Sequence, residues 1–300
     1  VLSGVLAGLL VLGLTGCGGS SAPAATSAPA ATAAATEAPA ASTAGETAAA
    51  LDADVQAIVD RGVLRVGVKN AVIGFGYQDP ITGEYTGMEI DIAKALAEQL
   101  GVDVEFTTVT AATRTELLDS GDIDCVLATF TITDERKQSW DFTTPYYTDH
   151  VTVLVEDSSG IKSLADLKGK LVGVSSGSTS ARALTSAMID AGVIDGTLFD
   201  KETFDPATWT EGISFQQFDD YPGISTALAA GQVDAFCVDK SILAVYKTEG
   251  RSYIADEFAP QDYGIATKKG SDFSTYCEDF VTAKLADGTI AGWIADYNLG

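Results

Sequence analysis

The chain is poor in the residues on which much protein chemistry depends. It has one histidine, His150, among 300 residues, and its four cysteines form no CxxC pair. Together these exclude the ligand spacings of ordinary zinc sites, and no metal or cofactor is expected. Cys125, Cys237 and Cys277 are dispersed through the body and read as buried free thiols, with a Cys125–Cys237 bridge as the open alternative. Basic residues are scarce as well: 18 Lys and Arg face 42 Asp and Glu, a net charge of -24. Such a surface cannot neutralise a phosphate backbone, so nucleic acid is excluded as a partner. An anionic ligand would need a local basic pocket inside an acidic protein.

The run VLSGVLAGLLVLGLTG at residues 1–16 is apolar and uncharged. It is short for a membrane span and fits the hydrophobic core of a secretory signal. The absence of an initiating Met and a basic leader reads as truncation at the start. Residues 18–50 are almost wholly Ala, Ser, Thr, Pro and Gly, with Glu37 and Glu46 as the charges. Such a segment buries too little apolar surface to offset chain entropy and reads as a flexible tether. Folded sequence is expected from Leu51.

From there short apolar runs alternate with helical periodicity. Strands are predicted at 63–68, 102–108, 125–130, 171–174, 215–218 and 235–238. Helices are predicted at 87–100, 113–119, 179–191 and 224–230. Ile92, Leu96 and Leu100 give the first of these an apolar stripe, which Gly101 ends. Strand–helix alternation predicts an α/β protein with mostly parallel sheets. Two such sets predict two lobes, with ligands bound where the strands' carboxyl ends face a shared cleft.

Leu14-Thr15-Gly16-Cys17 resembles the processing box of bacterial lipoproteins. That resemblance implies lipidation of Cys17 and a membrane anchor; a plain secretory signal with an incidental Cys is the alternative. The segment ATFTITDERKQSWDFTTPYY at 128–147 resembles the signature of family-3 periplasmic amino-acid-binding proteins, receptors of polar amino-acid ABC importers. Further pieces follow in that family's order: LRVGVKNAVIGFGYQD (64–79), GMEIDIAKALAEQLG (87–101), SLADLKGKLVGVSSGST (163–179), ALAAGQVDAFCVDKSIL (227–243) and DYGIATKKGSDF (262–273). Together they span the folded body. The resemblance implies a two-lobed periplasmic-binding-protein type II fold joined by two crossover strands. Lobe 1 would comprise 51–147 and 263–300, and lobe 2 would comprise 148–262. It also implies a monomeric, lipid-anchored receptor outside the cytoplasmic membrane, with an importer permease as partner and no catalysis.

A free amino acid leaving water needs both of its charges paired. Arg136 has the fork geometry to grip an α-carboxylate, and Thr131 lies five residues earlier. The alternative for Arg136 is a surface pair with Asp134 or Glu135. Residues 172–179 read as a strand, a Ser/Gly turn and a helix start, an arrangement that seats anions. The resemblance maps a backbone contact to the α-carboxylate onto Thr179, which otherwise reads as a helix cap. It makes Asp239, helped by Thr129, the counter-ion of the α-ammonium; the alternative is that Asp239 caps the next helix.

Lys69 and Arg114 are the expected side-chain readers. Arg114 stands where glutamate/aspartate receptors of the family carry an Arg. Positions where many relatives have aromatics are Ala111 and Val72 here, although Phe75 and Tyr77 follow. Two cations and missing aromatics imply a second carboxylate on the ligand, hence glutamate or aspartate; glutamine or another neutral polar amino acid is the runner-up. For Lys69 and Arg114 the alternative is an exposed surface position. From other classes, a dehydratase-like enzyme and a ligand-sensing module share the architecture. Residues 195–214 form a longer connection than the family usually has, destined for either the cleft rim or the transporter. His150 falls at the first crossover, where it reads as structural.

Overall fold

The computed structural model describes residues 52–300. The expected signal segment and tether, Cys17 and Leu51 lie outside them. Among the described residues no helix is long and apolar enough to cross a membrane.

Strand Val63–Val68 pairs in parallel with Asp103–Thr108 on one side and Cys125–Leu127 on the other. Helices Met88–Leu100 and Thr113–Ser120 make the crossovers. Ala266–Lys268 and Trp140–Phe142 then extend this sheet antiparallel. The second sheet repeats the plan. Leu171–Ser175 lies between Ser214–Phe218 and Ala235–Asp239 in a parallel trio. The ten-residue strand Tyr147–Glu156 pairs antiparallel with Ala235–Asp239 and also with Arg251–Tyr253 and Phe258–Tyr263. Each lobe is thus a parallel α/β core to which antiparallel strands are added, the two-lobed type II arrangement.

The helix at Met88 begins where it does because of Gly87. Its φ is +130°, and a Cβ there would lie 2.1 Å from the Phe75 carbonyl oxygen. Only glycine fits, so the first helical turn is pressed onto the loop that follows Val63–Val68. Ile92, Leu96 and Leu100 are buried as the stripe requires, and Gly101 closes the helix in the left-handed conformation.

The strand expected over 125–130 stops at Leu127. Thr129 adopts φ +45°, which no strand residue can, and this turns the chain out of the ladder into the cleft. Two segments cross between the sheets side by side: the Thr143 N–H donates to the Ile265 carbonyl (3.1 Å) and the Tyr146 N–H to the Tyr263 carbonyl (2.9 Å). Cys125, Cys237 and Cys277 are buried and free, so the Cys125–Cys237 bridge does not form. Cys125 and Cys237 belong to different sheets.

Candidate ligand-binding site

The carboxyl ends of the two parallel trios face each other, and charged side chains converge there. Lys69 follows Val63–Val68 and is only 4% exposed. Arg114, in the first turn of its helix, is 3% exposed. Its Nη1 donates to the Ala128 and Thr129 carbonyls (3.0 and 3.3 Å), and its guanidinium lies 3.8 Å from the Phe130 ring centre. Neither residue is on the surface. Arg136, half-buried, also leans on Phe130, at 4.6 Å. Its Nη1 donates to the Thr131 carbonyl (2.7 Å) and its Nη2 to the Gly177 carbonyl of the other lobe (3.1 Å). Glu135 pairs instead with Arg182 across the cleft (2.7 Å). The salt bridges among the described residues include none of Lys69, Arg114 and Arg136. Burial lowers the pKa of all three, with Arg114 at about 10, and their mutual repulsion adds to the effect at Lys69 and Arg136.

Asp239 ends strand Ala235–Asp239 at 5% exposure. It makes no cap bond to the helix that follows. Its carboxylate accepts from the Tyr263 hydroxyl, which also reaches Asp149 at 3.2 Å. Burial and the neighbouring Asp149 push the Asp239 carboxyl up to about 7. Thr179 likewise makes no side-chain cap. Its hydroxyl and that of Thr131 both donate to Gln261 Oε1, at 2.7 and 2.8 Å. Gln261 therefore ties the two lobes' hydroxyls together. The lobes are in contact: a Cβ on Gly177 would lie 2.8 Å from the Ala111 carbonyl oxygen.

Three participants escaped the sequence reading. Tyr221, at the start of its helix, puts its ring centre 5.3 Å from the Lys69 ammonium. Together with Lys69, Val72, Ala111 and Ser175 it lines a cavity of about 160 Å3. The pocket therefore has an aromatic wall after all, supplied by the second lobe rather than from positions 72 or 111. Phe75, by contrast, is packed in the core against Tyr147 and Tyr263. Gln261 and Glu89 are the other two. Glu89 lies on the apolar stripe of its helix, three residues before Ile92, and a charge on a buried stripe was the available signal.

The 195–214 connection reaches the cleft rim. Phe199, Phe204 and Trp209 pack on one another, and Phe204 with Pro206 lines a recess shared with Arg136 and Trp140. A larger recess of about 920 Å3 lies at the crossovers and is lined in part by His150; it contains none of Lys69, Arg114, Arg136 and Asp239.

Two α/β lobes meeting at buried, opposite charges define a type II solute-binding protein. Residues 64–298 match the bacterial extracellular solute-binding proteins, family 3, and the chain belongs to that family. It is 36% identical over 220 residues to the ABC transporter glutamine-binding protein of Bacillus subtilis, covering 71% of this chain and 72% of that one. It is 29% identical over 265 residues to the glutamate-binding protein of Corynebacterium glutamicum, covering 81% of each. Among solved structures, an ancestral arginine-binding protein bound to arginine superposes with a TM-score of 0.66 at 33% identity, covering 79% of this chain and 98% of that one.

Proposed function

We propose that this protein is the extracytoplasmic receptor of an amino-acid ABC importer and that it closes on glutamate or aspartate. The supporting observation is the opposition of Arg136 on the first lobe and Asp239 on the second, each shifting the other's charge equilibrium across one shielded gap. Arg136 and the Thr131 and Thr179 region receive the α-carboxylate. Asp239 and Thr129 receive the α-ammonium, and Lys69 with Arg114 receives the side chain. A ligand spanning both lobes favours the closed form through differential affinity. Asp239 is poised near neutrality, yet an ammonium beside it restores its carboxylate, so it acts as a counter-ion rather than a general base.

The lobes are assigned as 51–147 with 263–300 and as 148–262, with the paired Tyr147 and Tyr263 of the second sheet at the boundary. Cys17 is assigned as the lipidated residue on the strength of the Leu14–Cys17 box. A second reading, glutamine, is favoured by Glu89, whose buried carboxylate offsets one of the two side-chain cations, and by the glutamine-binding relative. Thermal-shift screening against the twenty amino acids tests the proposal. A micromolar ligand at millimolar concentration stabilises by about 4 kcal/mol. For a domain of this size that raises Tm by about 8–16 °C. Response to Glu or Asp alone supports the first reading, response to Gln the second. No response to any amino acid refutes both.

A further inference from the structure

Glu89 is the second residue of helix Met88–Leu100, and none of its surface is exposed. A carboxylate at a helix start ordinarily faces solvent and complements the helix dipole. Here Gly87 presses the helix onto the Phe75 carbonyl, and Glu89 turns inward. Its Oε1 accepts from the Thr129 N–H at 2.7 Å and the Tyr146 hydroxyl at 2.6 Å. Its Oε2 is buried with no hydrogen-bond partner. The Arg114 guanidinium is linked to the same turn through the Ala128 and Thr129 carbonyls, and its Nε is likewise buried and unpartnered. Glu89 thus does two things at once. It holds Thr129 at φ +45°, a conformation that costs a threonine on the order of 1–3 kcal/mol and persists only when its surroundings enforce it. Burial raises the pKa of the Glu89 carboxyl, and the bonds from Tyr146 and Thr129 together with the Lys69 and Arg114 cations pull it back toward ionisation. Ionised, it also places one negative charge behind the two cations of the side-chain pocket, whose equilibria it shifts.

We propose that Glu89 is a positioning and specificity-determining residue: its buried carboxylate, clamped on Thr129, sets the net charge that Lys69 and Arg114 present to the ligand's side chain and so sets the ratio of affinities for glutamate and glutamine. This rests on the receptor reading above. Two cations alone would present a double positive charge, which a single carboxylate leaves half balanced. With an ionised Glu89 behind them the surplus falls to one charge, which lowers the pocket's preference for a side-chain carboxylate over a neutral amide.

The test is calorimetric titration of the wild-type, E89Q and E89D proteins with glutamate and with glutamine. E89Q keeps an acceptor for Thr129 and removes the charge, so the glutamate-to-glutamine affinity ratio should rise at least tenfold. E89D keeps the charge but falls one methylene short of Thr129. Both ligands should then weaken about tenfold, with the ratio within threefold of wild type. A buried Glu89 with a purely structural role would lower both affinities without moving the ratio in E89Q, and that result overturns the inference. If E89Q does not fold, a ratio that moves tenfold in E89D overturns it instead. If the wild-type protein binds neither ligand nor any other amino acid, the receptor reading has failed and this inference falls with it.

Discussion

Ligand affinity should fall steeply as pH drops below neutrality, and Asp239 is the reason. Its carboxyl is raised to about 7 by burial and by Asp149, against the pull of Tyr263, Arg114 and Arg136. Only the ionised form pairs with an α-ammonium. Above pH 8 that form dominates and affinity is flat. At pH 5.5 about 3% of Asp239 is ionised, so affinity should be about thirtyfold weaker, or about 2 kcal/mol. A glutamate side chain is still ionised there, with a free pKa near 4.3, so the ligand does not explain the fall. The chain's one histidine, His150, is exposed on strand Tyr147–Glu156. Binding at pH 6 should therefore release about 0.9 proton per ligand, read by calorimetry in buffers of different ionisation enthalpy. The sign for stability runs the other way. A carboxyl whose folded pKa is raised is favoured while protonated, so the ligand-free protein loses stability as pH rises from about 4 through 7 and levels off above. The D239N protein should lack that loss and should bind weakly at every pH. Affinities constant within twofold from pH 8 to 5.5, with no buffer-dependent heat, would refute the assignment.

Arg136→Lys removes the fork that reaches Thr131 and Gly177 and should weaken binding at least a hundredfold by calorimetry, since each charge-assisted bond contributes about 1.5–3 kcal/mol. Lys69→Met should move preference toward glutamine in competition thermal shifts; unchanged preference would remove Lys69 from the pocket's working charges. Gly87→Ala meets a forbidden φ and the Phe75 carbonyl, and should lower stability by about 2–4 kcal/mol in denaturant titration. Glu135→Gln breaks a partly exposed ion pair between the lobes, worth about 0–1 kcal/mol, so stopped-flow release should quicken no more than about fivefold.

The parallel trios were legible because their strands are short apolar runs punctuated by helices with clear stripes, as at Ile92, Leu96 and Leu100. Strand Tyr147–Glu156 was not: Thr148, Asp149, His150 and Thr152 interrupt its apolar run, and three antiparallel partners, not local pattern, hold it. Nor was any element read at the helices Ala53–Arg61, Asp272–Ala286 and Thr289–Asp296. Ala53–Arg61 and Asp272–Ala286 are joined by bonds across more than 200 residues: the Asp54 and Val55 N–H groups both donate to Asp272. In the site, Arg136 and Arg114 could be placed because each stands in a distinctive segment. Tyr221 and Gln261 could not, because their relation to Lys69, Thr131 and Thr179 exists only once the lobes meet. The left-handed turn at Thr129 was equally invisible, since the residues around it continue a strand-like apolar run.

On the proposed reading, the charges make closure and recognition a single event. Lys69, Arg114 and Arg136 are all pushed toward losing their protons by burial, while Asp239 is pushed toward gaining one. Burying these groups is unfavourable on its own, because each gives up hydration that the protein's carbonyls only partly replace. Separated lobes would wet the three cations and lessen that penalty, while Tyr263 and Asp149 stay beside Asp239. On the proposed reading, a bound zwitterion with an acidic side chain would place carboxylates against the cations and an ammonium against Asp239, and so would relieve the same penalty in the closed form alone. The ligand's leverage on closure is therefore that relief, and a ligand lacking one of the charges should close the lobes less completely. The contacts that seal the rim, Arg136 to the Gly177 carbonyl and Glu135 to Arg182, are neighbours in sequence on the first lobe. Arg136, the proposed grip on the ligand's α-carboxylate, thus also fastens the lobes, and a ligand that draws it into place would bring the seal with it.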